Sequence, residues 1–443
     1  MNMKKFSFFL FFIFSVQSQA QFKGESGVYY LGTANVPIST SNFANTNING
    51  VVVRFNWNNV EPTPGNFDWS FVDGEIAKAI TYNKKVSLQP LGKPDWLASI
   101  GAKQYYYLDK NIAHATYGLA LSDVLVWDST YVSRYKIFIQ NLAAKYANNP
   151  VVSYVNTIGS SFSRGLPDTV ITNTTTLTKQ AFWTTFNYNA DSLGNLMNKM
   201  TDYYMSQFPT TPLWTSVDYV LFEPSASGKA RNYLASIYCN YGITKYSDRF
   251  GLFREDISAC NPPQPISTGS QWYIMQQNTN RTGAQMLWNV QDGPTRMNQC
   301  GIVPNTKSVV LDSAVNKALK FGMRYLEIYG SDITDATLTT SIQNANTKLM
   351  AKGAEWNPKT DIGDLSHSNS FTITPNFANQ YINVSFSDNP KPQHLYIFNA
   401  IGILVKDLEI AESGQITISE LAKGLYFIRP KNKIQQAIRF IKY

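Results

Sequence analysis

Four acidic side chains lie in or directly after predicted β-strands, and they are the first candidates for chemistry. Glu327 lies inside an apolar run, Met323–Tyr329, that predicts a buried strand. A carboxylate costs on the order of several kcal/mol to bury alone, so Glu327 must be paired or functional. Glu255 and Asp256 follow the sixth predicted strand, and Asp292 follows the seventh. Two such groups facing one cleft could act as a general acid and as a nucleophile or base.

Each of these carboxylates also has a structural interpretation. Glu327 could form an ion pair with Arg54 or Arg324, and the other three could cap loops. Glu61 lies in a turn and Glu75 lies on a predicted helix, so we expect both to be structural. The sequence leaves these alternatives open.

Aromatic and basic side chains lie near the same strand ends. An indole ring could lie against a sugar face, and a cation could pair with a sulfate or carboxylate substituent. The candidates for substrate contact are Trp57, Trp96, Trp127 and Trp288, together with Lys93, Arg164, Arg254 and Arg296. Core packing of the rings, and solvation or Asp pairing of the cations, are the alternatives.

Alternating strands and helices would position these groups. Residues 50–97 predict a strand, an amphipathic helix from about Phe71 to Tyr82, and a second strand Val86–Pro90, which together form a βαβ unit with parallel strands. Eight such units can be placed between residues 27 and 350, and a long irregular loop is predicted at Ala98–Asp123. This pattern predicts an α/β fold, a (β/α)8 TIM barrel, whose reactive groups lie at the carboxyl ends of the strands.

The two ends of the chain differ from this pattern. Residues 1–20 combine a basic head, a Phe-rich run and Ser18-Gln19-Ala20, which predicts a signal peptide. Residues 21–356 are assigned to the barrel, and the polar residues 357–370 to a linker. Residues 371–443 predict a small all-β sandwich domain. No later apolar run is long enough for a transmembrane segment, so we expect export through the periplasm to a secreted or cell-surface location.

The stretch 50–97 resembles a known group of enzymes. Its motifs read RFNW, EP, G-FDW and a strand ending P-DW-L. They are similar to the second and third strands of clan A glycoside hydrolases, with family 42 β-galactosidases as the nearest pattern. The resemblance covers roughly residues 27–352, and its strong motifs lie at 50–97 and 128–159. It implies a barrel that hydrolyses glycosides with two Glu residues.

The sequence departs from this clan at both catalytic positions. In clan A the fourth strand ends Asn-Glu, and that Glu is the general acid/base. Here Ile158–Arg164 holds no carboxylate, and the seventh strand, which carries the clan's nucleophile, offers Asp292 instead of Glu. Neither family residue can be carried over, so the acid comes from Glu255 or Asp256, or the barrel binds glycans without cleaving them.

The last 73 residues resemble a second family. The matching residues are Pro375-Asn376, Tyr396–Asn399 with Gly402, Lys423–Tyr426 and the basic end Arg439–Tyr443. They are similar to the C-terminal sorting domain of type IX secretion in Bacteroidetes. The resemblance implies transport across the outer membrane, with the type IX secretion machinery as partner. A carbohydrate-binding or structural sandwich is the alternative.

Composition excludes several classes of function. The net charge is +8, but no Lys/Arg run resembles a nucleic-acid-binding arm. Among three histidines only His114 lies in the predicted barrel, which argues against a His-based metal site, and we predict no cofactor. The chain has three cysteines, and export would allow a Cys260–Cys300 disulfide.

These observations predict a secreted glycoside hydrolase that acts on a polysaccharide by carboxylate acid/base chemistry. An anionic substrate, sulfated or uronic, is an open option suggested by the cations at the strand ends. The alternative is a non-catalytic glycan-binding barrel, which the missing fourth-strand Glu favours. A structural surface protein with a filled barrel mouth is a third possibility.

Overall fold

The computed structural model describes residues 22–108, 115–156, 170–172, 175–177, 185–217, 232–292 and 294–356. Towards the carboxyl terminus it describes residues 371–375, 377–386, 393–399, 403–410, 413–431 and 438–443. The chain divides into two compact units, residues 1–358 and 359–443, and each is described by itself. No helix in these ranges is long and apolar enough to cross a membrane.

The first unit is a closed barrel of eight parallel strands, so the predicted fold class is confirmed. Each strand pairs in parallel with its neighbours around the ring, and the first strand closes against the eighth through Gly27–Leu31 and Tyr325–Tyr329. In chain order the strands are Gly27–Leu31, Gly50–Asn56, Lys85–Leu91, Val152–Asn156, Leu213–Ser216, Phe250–Ile257, Thr282–Met286 and Tyr325–Tyr329.

Helices connect the strands and pack against the outside of the ring. The α-helices are Thr40–Ala44, Trp57–Val60, Ser70–Thr81, Trp96–Ser99, Ser129–Tyr146, Ala190–Gln207, Tyr233–Lys245, Gln271–Gln277, Lys307–Lys320, Gly330–Ile333 and Thr339–Trp356. Three 3-10 turns lie at Thr279–Arg281, Pro294–Met297 and Ala336–Leu338. Helix Ser129–Tyr146 shows why the sequence folds this way: Asp128 caps it by accepting from the backbone N–H groups of Thr130 and Tyr131.

The interior of the barrel at its amino-terminal end is filled with aromatic rings. Tyr154 stacks on Trp214 with ring centroids 4.7 Å apart, and Tyr325 lies 5.2 Å from Trp214. Phe22, which precedes the first strand, lies beneath Trp214 at 5.4 Å. Glycines provide the room: a Cβ on Gly251 would lie 2.3 Å from the Trp214 ring. Large and small residues therefore alternate around the ring, as close packing requires.

The loop predicted at Ala98–Asp123 is more regular than expected. Gln104–Leu108 and Ala120–Val124 pair as an antiparallel hairpin, and two short strands, Val170–Thr172 and Thr175–Leu177, extend it to a four-stranded sheet. The prediction of an irregular loop is therefore wrong. In the structure Tyr105 is buried and Tyr106 is exposed, as expected for successive residues of a strand.

A disulfide joins two loops on the carboxyl-terminal side of the barrel. Cys260 follows the sixth strand and Cys300 follows the seventh, and the two residues are bonded. The third cysteine, Cys239, is a buried free thiol on helix Tyr233–Lys245. The pairing considered from the sequence is thus the one observed.

The second unit consists of two small β-sheets around one apolar core. One sheet has three antiparallel strands in the order Phe371–Thr374, Tyr381–Phe386 and Gly414–Thr417. The other has five strands in the order Phe377–Ala378, Ile438–Lys442, Gly424–Pro430, Gln393–Asn399 and Leu404–Ile410. Buried aliphatic residues such as Ile382, Ile397 and Ile428 alternate with exposed ones along these strands, which is the pattern of a sheet buried on one face.

Candidate active site

A layer of polar side chains occupies the inside of the barrel at its carboxyl-terminal end. Residues two apart on a strand point to the same side. Glu327 therefore follows Tyr325 into the interior, and Glu255 follows Phe253, since Tyr325 and Phe253 belong to the interior aromatic cluster. By the same alternation the interior layer contains Arg54, Gln89, Asn156 and Gln285.

Glu327 is the most strongly perturbed carboxyl group of this layer. It is fully buried, and its Oε1 accepts a hydrogen bond of 2.7 Å from the Tyr325 hydroxyl. Its Oε2 has no hydrogen-bond partner among the described residues. Burial raises the pKa of Glu327 to about 8; the Tyr325 hydrogen bond and the Arg54 charge oppose this shift, and the Glu255 charge adds to it.

The ion-pair explanation for Glu327 does not fit the contacts of the two candidate arginines. Arg324 lies at the other end of the barrel, where its guanidinium donates to Ser26 Oγ and to the Phe22 carbonyl. Arg54 is half-buried and donates to the Gly32 carbonyl at 3.1 Å. Within the described ranges neither arginine lies within 4.0 Å of the Glu327 carboxylate. Among the described residues, Glu327 is therefore a buried carboxyl group without a salt bridge.

Glu255 is the second carboxyl group of the layer. It is half-buried on the sixth strand, and one strand, Thr282–Met286, separates it from Glu327. Neighbouring strands lie about 4.8 Å apart, so the two Cα atoms are separated by roughly 10 Å. The two groups are close enough for the charge of Glu255 to raise the pKa of Glu327.

Asp256 and Arg254 lie on the opposite face of the sixth strand. Arg254 is buried and donates from Nε to Asp256 Oδ1 at 2.9 Å. Its guanidinium also lies over the Trp272 ring, which belongs to helix Gln271–Gln277. This pair therefore fastens the strand to the helical layer. Adjacent residues on a strand cannot both point inward, so only Glu255 of the predicted acidic pair faces the interior.

The loop after the seventh strand carries Asp292, Trp288 and Arg296. Asp292 is exposed, and its Oδ2 accepts hydrogen bonds from Trp288 Nε1 at 2.9 Å and Asn289 Nδ2 at 3.0 Å. The Arg296 guanidinium lies 3.9 Å from the Trp288 ring centre. Trp288 in turn lies 5.7 Å from Tyr329, the residue that follows Glu327 on the inner face. Trp288 and Arg296 thus border the polar layer. Asp292 stabilises the loop by accepting hydrogen bonds from two of its side chains.

Trp57 and Trp96 lie in a different part of the molecule. Trp57 is fully buried between the second strand and helix Ser129–Tyr146, with its ring 4.9 Å from that of Phe138. Its Nε1 donates to Glu61 Oε2 at 2.7 Å, and Trp96 Nε1 donates to the Glu61 carbonyl. Arg134 forms an ion pair with the same buried Glu61 carboxylate. These two indoles are core residues and not sugar platforms.

The remaining predicted contacts are also engaged or lie outside the described ranges. Trp127 is half-buried and donates to the Phe186 carbonyl at 3.1 Å. Lys93 pairs with Asp123 at 2.6 Å. Arg164 lies outside the described residues. Of the eight predicted substrate contacts, the structure brings Trp288 and Arg296 next to the polar layer.

Comparison with known proteins identifies two regions. The family model described as β-galactosidase matches residues 38–159, and the model described as secretion system C-terminal sorting domain matches residues 372–442. Both resemblances drawn from the sequence are confirmed. No curated protein matches the chain in sequence.

Solved structures similar to the chain include three carbohydrate-active proteins. The catalytic domain of β-amylase from Paenibacillus polymyxa is 13% identical, with 73% of this chain and 90% of that chain covered and a TM-score of 0.36. β-Galactosidase from Rahnella sp. R3 is 12% identical, with 75% of this chain and 57% of that chain covered and a TM-score of 0.45. β-Glucanase from Saccharophagus degradans is 13% identical, with 74% of this chain and 88% of that chain covered and a TM-score of 0.41.

The barrel differs from the clan A pattern at the two strand ends that carry the catalytic residues of that clan. The fourth strand ends at Asn156, and the next residue in the sequence is Thr157 rather than Glu. On the seventh strand the inward-facing residue near the end is Gln285, whereas Asp292 lies six residues beyond the strand. The structure therefore supplies an amide, and not Asp292, at the seventh-strand position.

Three residues of the polar layer, Gln89, Asn156 and Gln285, were missed in the sequence. Gln89 is fully buried, and neither atom of its amide has a partner among the described residues. Gln285 Nε2 donates to the Tyr329 hydroxyl at 3.3 Å, and its Oε1 has no described partner. Glutamines inside apolar strands at the same end as Glu327 were the available signal. In the described part of the chain no group of three or more His, Cys, Asp or Glu could hold a metal ion.

Proposed function

We propose that this protein is a secreted glycoside hydrolase that cleaves a polysaccharide with Glu327 as general acid and Glu255 as nucleophile or base. One observation carries the proposal. At the carboxyl-terminal end of the barrel, a fully buried carboxyl group with an unpaired oxygen lies near a second carboxylate whose charge raises its pKa. Pairs of carboxyl groups with different environments are how glycosidases divide acid and base roles. The sorting domain supports secretion.

The protonation state of Glu327 suits a general acid. With a pKa of about 8 it keeps its proton at neutral pH. Since Oε1 accepts from the Tyr325 hydroxyl, the proton belongs on Oε2, the oxygen without a partner among the described residues. Oε2 could then protonate the leaving glycosidic oxygen while Glu255 attacks the anomeric carbon or deprotonates water. Tyr329 and Arg54 are half-buried at this end, so a sugar must pass them to reach Glu327.

Substrate contacts at the barrel mouth follow from the same placement. Trp288 lies beside Tyr329, so a sugar ring held above Glu327 could contact the Trp288 indole. Arg296 covers that ring and could pair with an acidic substituent. Lys93 and Arg254 are neutralised by Asp123 and Asp256, so they add little to an anion site. A preference of the mouth for an anionic polysaccharide therefore depends mainly on Arg296.

A non-catalytic glycan-binding barrel is the second candidate function. Two observations favour it: Gln285 occupies the inward seventh-strand position, and no Glu follows Asn156 on the fourth strand. The Gln89 amide and the Gln285 Oε1 atom, which have no partner among the described residues, would then serve to hydrogen-bond sugar hydroxyls. The two candidates differ in whether Glu327 and Glu255 are needed for cleavage or only for affinity.

The experiment is product release from a panel of neutral, sulfated and uronic polysaccharides. Wild type, Glu327→Gln and Glu255→Gln are compared with Asp95→Asn, which changes an exposed carboxylate that makes no capping bond. We expect both site variants to lose roughly 10²- to 10⁴-fold in rate. Asp95→Asn should stay within a few-fold of wild type.

One outcome would contradict the assigned site, and another would contradict the hydrolase assignment. Cleavage that persists in Glu327→Gln removes Glu327 from the mechanism. If the wild type cleaves nothing but is retarded in a gel containing one of the polysaccharides, the binding barrel is the correct function. In that case Glu327→Gln should weaken the retardation.

A further inference from the structure

A cleft of about 630 Å³ lies in the helical layer on the outside of the barrel. It is bordered by the loop after the sixth strand and by helices Gln271–Gln277 and Lys307–Lys320. None of its lining residues belongs to the inward-facing polar layer of the barrel. Clefts that hold small ligands typically have volumes of about 300–1,000 Å³, so this one has room for a short oligomer.

Two lysines of helix Lys307–Lys320 converge on the cleft. Lys317 is half-buried and donates to the Pro262 carbonyl at 2.9 Å. Lys320 is exposed and lies close enough that its charge, together with burial as the larger cause, lowers the pKa of Lys317. Neither ammonium has a carboxylate within 4.0 Å in the described part of the chain. Two neighbouring positive charges without a countercharge favour an anionic ligand.

The rest of the lining is suited to a sugar. Gln264, Gln276 and Asn316 place three amide groups around the two lysines, and an amide can donate to and accept from neighbouring sugar hydroxyls. Ile302 and Phe321 provide apolar surface against which the C–H face of a ring can lie. A single inorganic anion would use the lysines and leave the amides and the apolar surface without a role.

We propose that this cleft is a second glycan-binding site, separate from the barrel mouth, that binds an acidic oligosaccharide through Lys317 and Lys320. The acidic group is a sulfate or a carboxylate, and both pair with ammonium groups. The site anchors the polymer chain while another segment of it occupies the barrel mouth. The proposal does not depend on hydrolysis, because no group of the cleft takes part in the acid/base chemistry.

The test measures binding by isothermal titration calorimetry with four probes. They are a sulfated galacto-tetrasaccharide, a tetragalacturonate, a neutral galacto-tetrasaccharide and sodium sulfate. The Lys317→Gln, Lys320→Gln double variant is compared with wild type and with Lys199→Gln, which changes an exposed lysine on another helix. We expect the double variant to lose about tenfold or more in affinity for one or both acidic tetrasaccharides, because charged hydrogen bonds are lost. The ratio of the two acidic probes identifies the acidic group.

Several controls keep the proposal falsifiable. Lys320→Gln alone changes an exposed side chain that makes no described contact, so its loss of affinity cannot result from misfolding. Glu327→Gln should lower cleavage roughly 10²- to 10⁴-fold, and in that background the two lysine substitutions should still lower affinity about tenfold, which separates this site from the proposed function. Unchanged affinity in the double variant overturns the proposal. Sodium sulfate that binds as tightly as the sulfated sugar overturns the assignment to a glycan. A tetraglutamate peptide is added to the four probes, and if it binds more tightly than both acidic tetrasaccharides, the assignment is overturned as well.

Discussion

The two ends of the barrel interior are built on opposite principles. At the amino-terminal end, Tyr29, Tyr154, Trp214 and Tyr325 pack ring against ring and are fully buried, and Phe22 closes the bottom. At the carboxyl-terminal end the same strands carry carboxylates, amides and a guanidinium. Several of these polar atoms are buried without a partner among the described residues. The difference separates the part of the barrel that provides stability from the part that is available for chemistry.

This contrast follows from position along each strand. A single strand such as Tyr325–Tyr329 contributes Tyr325 to the aromatic end and Glu327 to the polar end, only two residues apart. An unpaired buried polar group lowers stability, whereas tightly packed rings raise it. We infer that the aromatic end stabilises the fold enough to tolerate the polar end. Substitutions at each end test this difference in stability.

The largest effect is expected at the aromatic end, from Trp214→Ala. The Trp214 ring contacts Phe22, Tyr154, Phe253 and Tyr325, so its removal leaves a large cavity. Loss of a buried aromatic residue of this kind costs about 3–5 kcal/mol. The midpoint of unfolding in urea should fall accordingly, or the variant should fail to fold.

The matched control for this substitution is Trp127→Ala. Trp127 is half-buried in a loop, donates to the Phe186 carbonyl and lies with its ring 5.9 Å from that of Tyr188. Its loss should cost clearly less than that of Trp214. Equal destabilisation by the two substitutions would mean that the aromatic end is not the main source of stability.

The second prediction concerns the pH dependence of stability at the polar end. Burial raises the pKa of Glu327 from 4.5 to about 8. Between these two values the folded protein keeps a proton that the unfolded chain has released, so the free energy of unfolding falls as the pH rises. The loss should amount to roughly 5 kcal/mol over the window. Stability is fully present below pH 4.5 and reaches its lower level above pH 8.

Urea unfolding of wild type and Glu327→Gln at pH 5, 6.5 and 8 checks this prediction. The Gln variant cannot titrate at this position, so its free energy of unfolding should vary less across the series. The wild type should therefore lose stability relative to the Gln variant as the pH rises from 5 to 8. Parallel pH profiles would show that Glu327 keeps an ordinary pKa and would remove the protonated general acid from the proposed mechanism.

The sequence predicted the fold far better than the site. Eight strand–helix units were enough to predict the barrel. Glu327 could also be singled out, because a charged residue inside an apolar strand is conspicuous. Such signals are local in the chain, and local pattern is what a single sequence contains.

The remaining site residues depended on information that the sequence lacks. Trp57 and Asp256 were selected for lying near strand ends, but their side chains face the helical layer. Gln89 and Gln285 carry no charge, so their position inside apolar strands is a weaker signal than that of Glu327. Which side of the strand a residue faces requires the register of the closed barrel, and this register is a tertiary property.

The smallest effect is expected from Gln89→Met, and its sign makes it informative. Gln89 is fully buried, and neither atom of its amide has a described partner, so a side chain of similar length without the amide removes an unsatisfied group. Such a replacement can be neutral or stabilising, here by up to about 1 kcal/mol. Gln285→Met is the control, because it removes the hydrogen bond that Gln285 Nε2 donates to the Tyr329 hydroxyl and should therefore stabilise less. Glycan cleavage or binding should fall in both variants.

A Gln89→Met protein that is less stable than wild type would show that this amide is satisfied in solution, and the polar end would then contribute to stability as the aromatic end does.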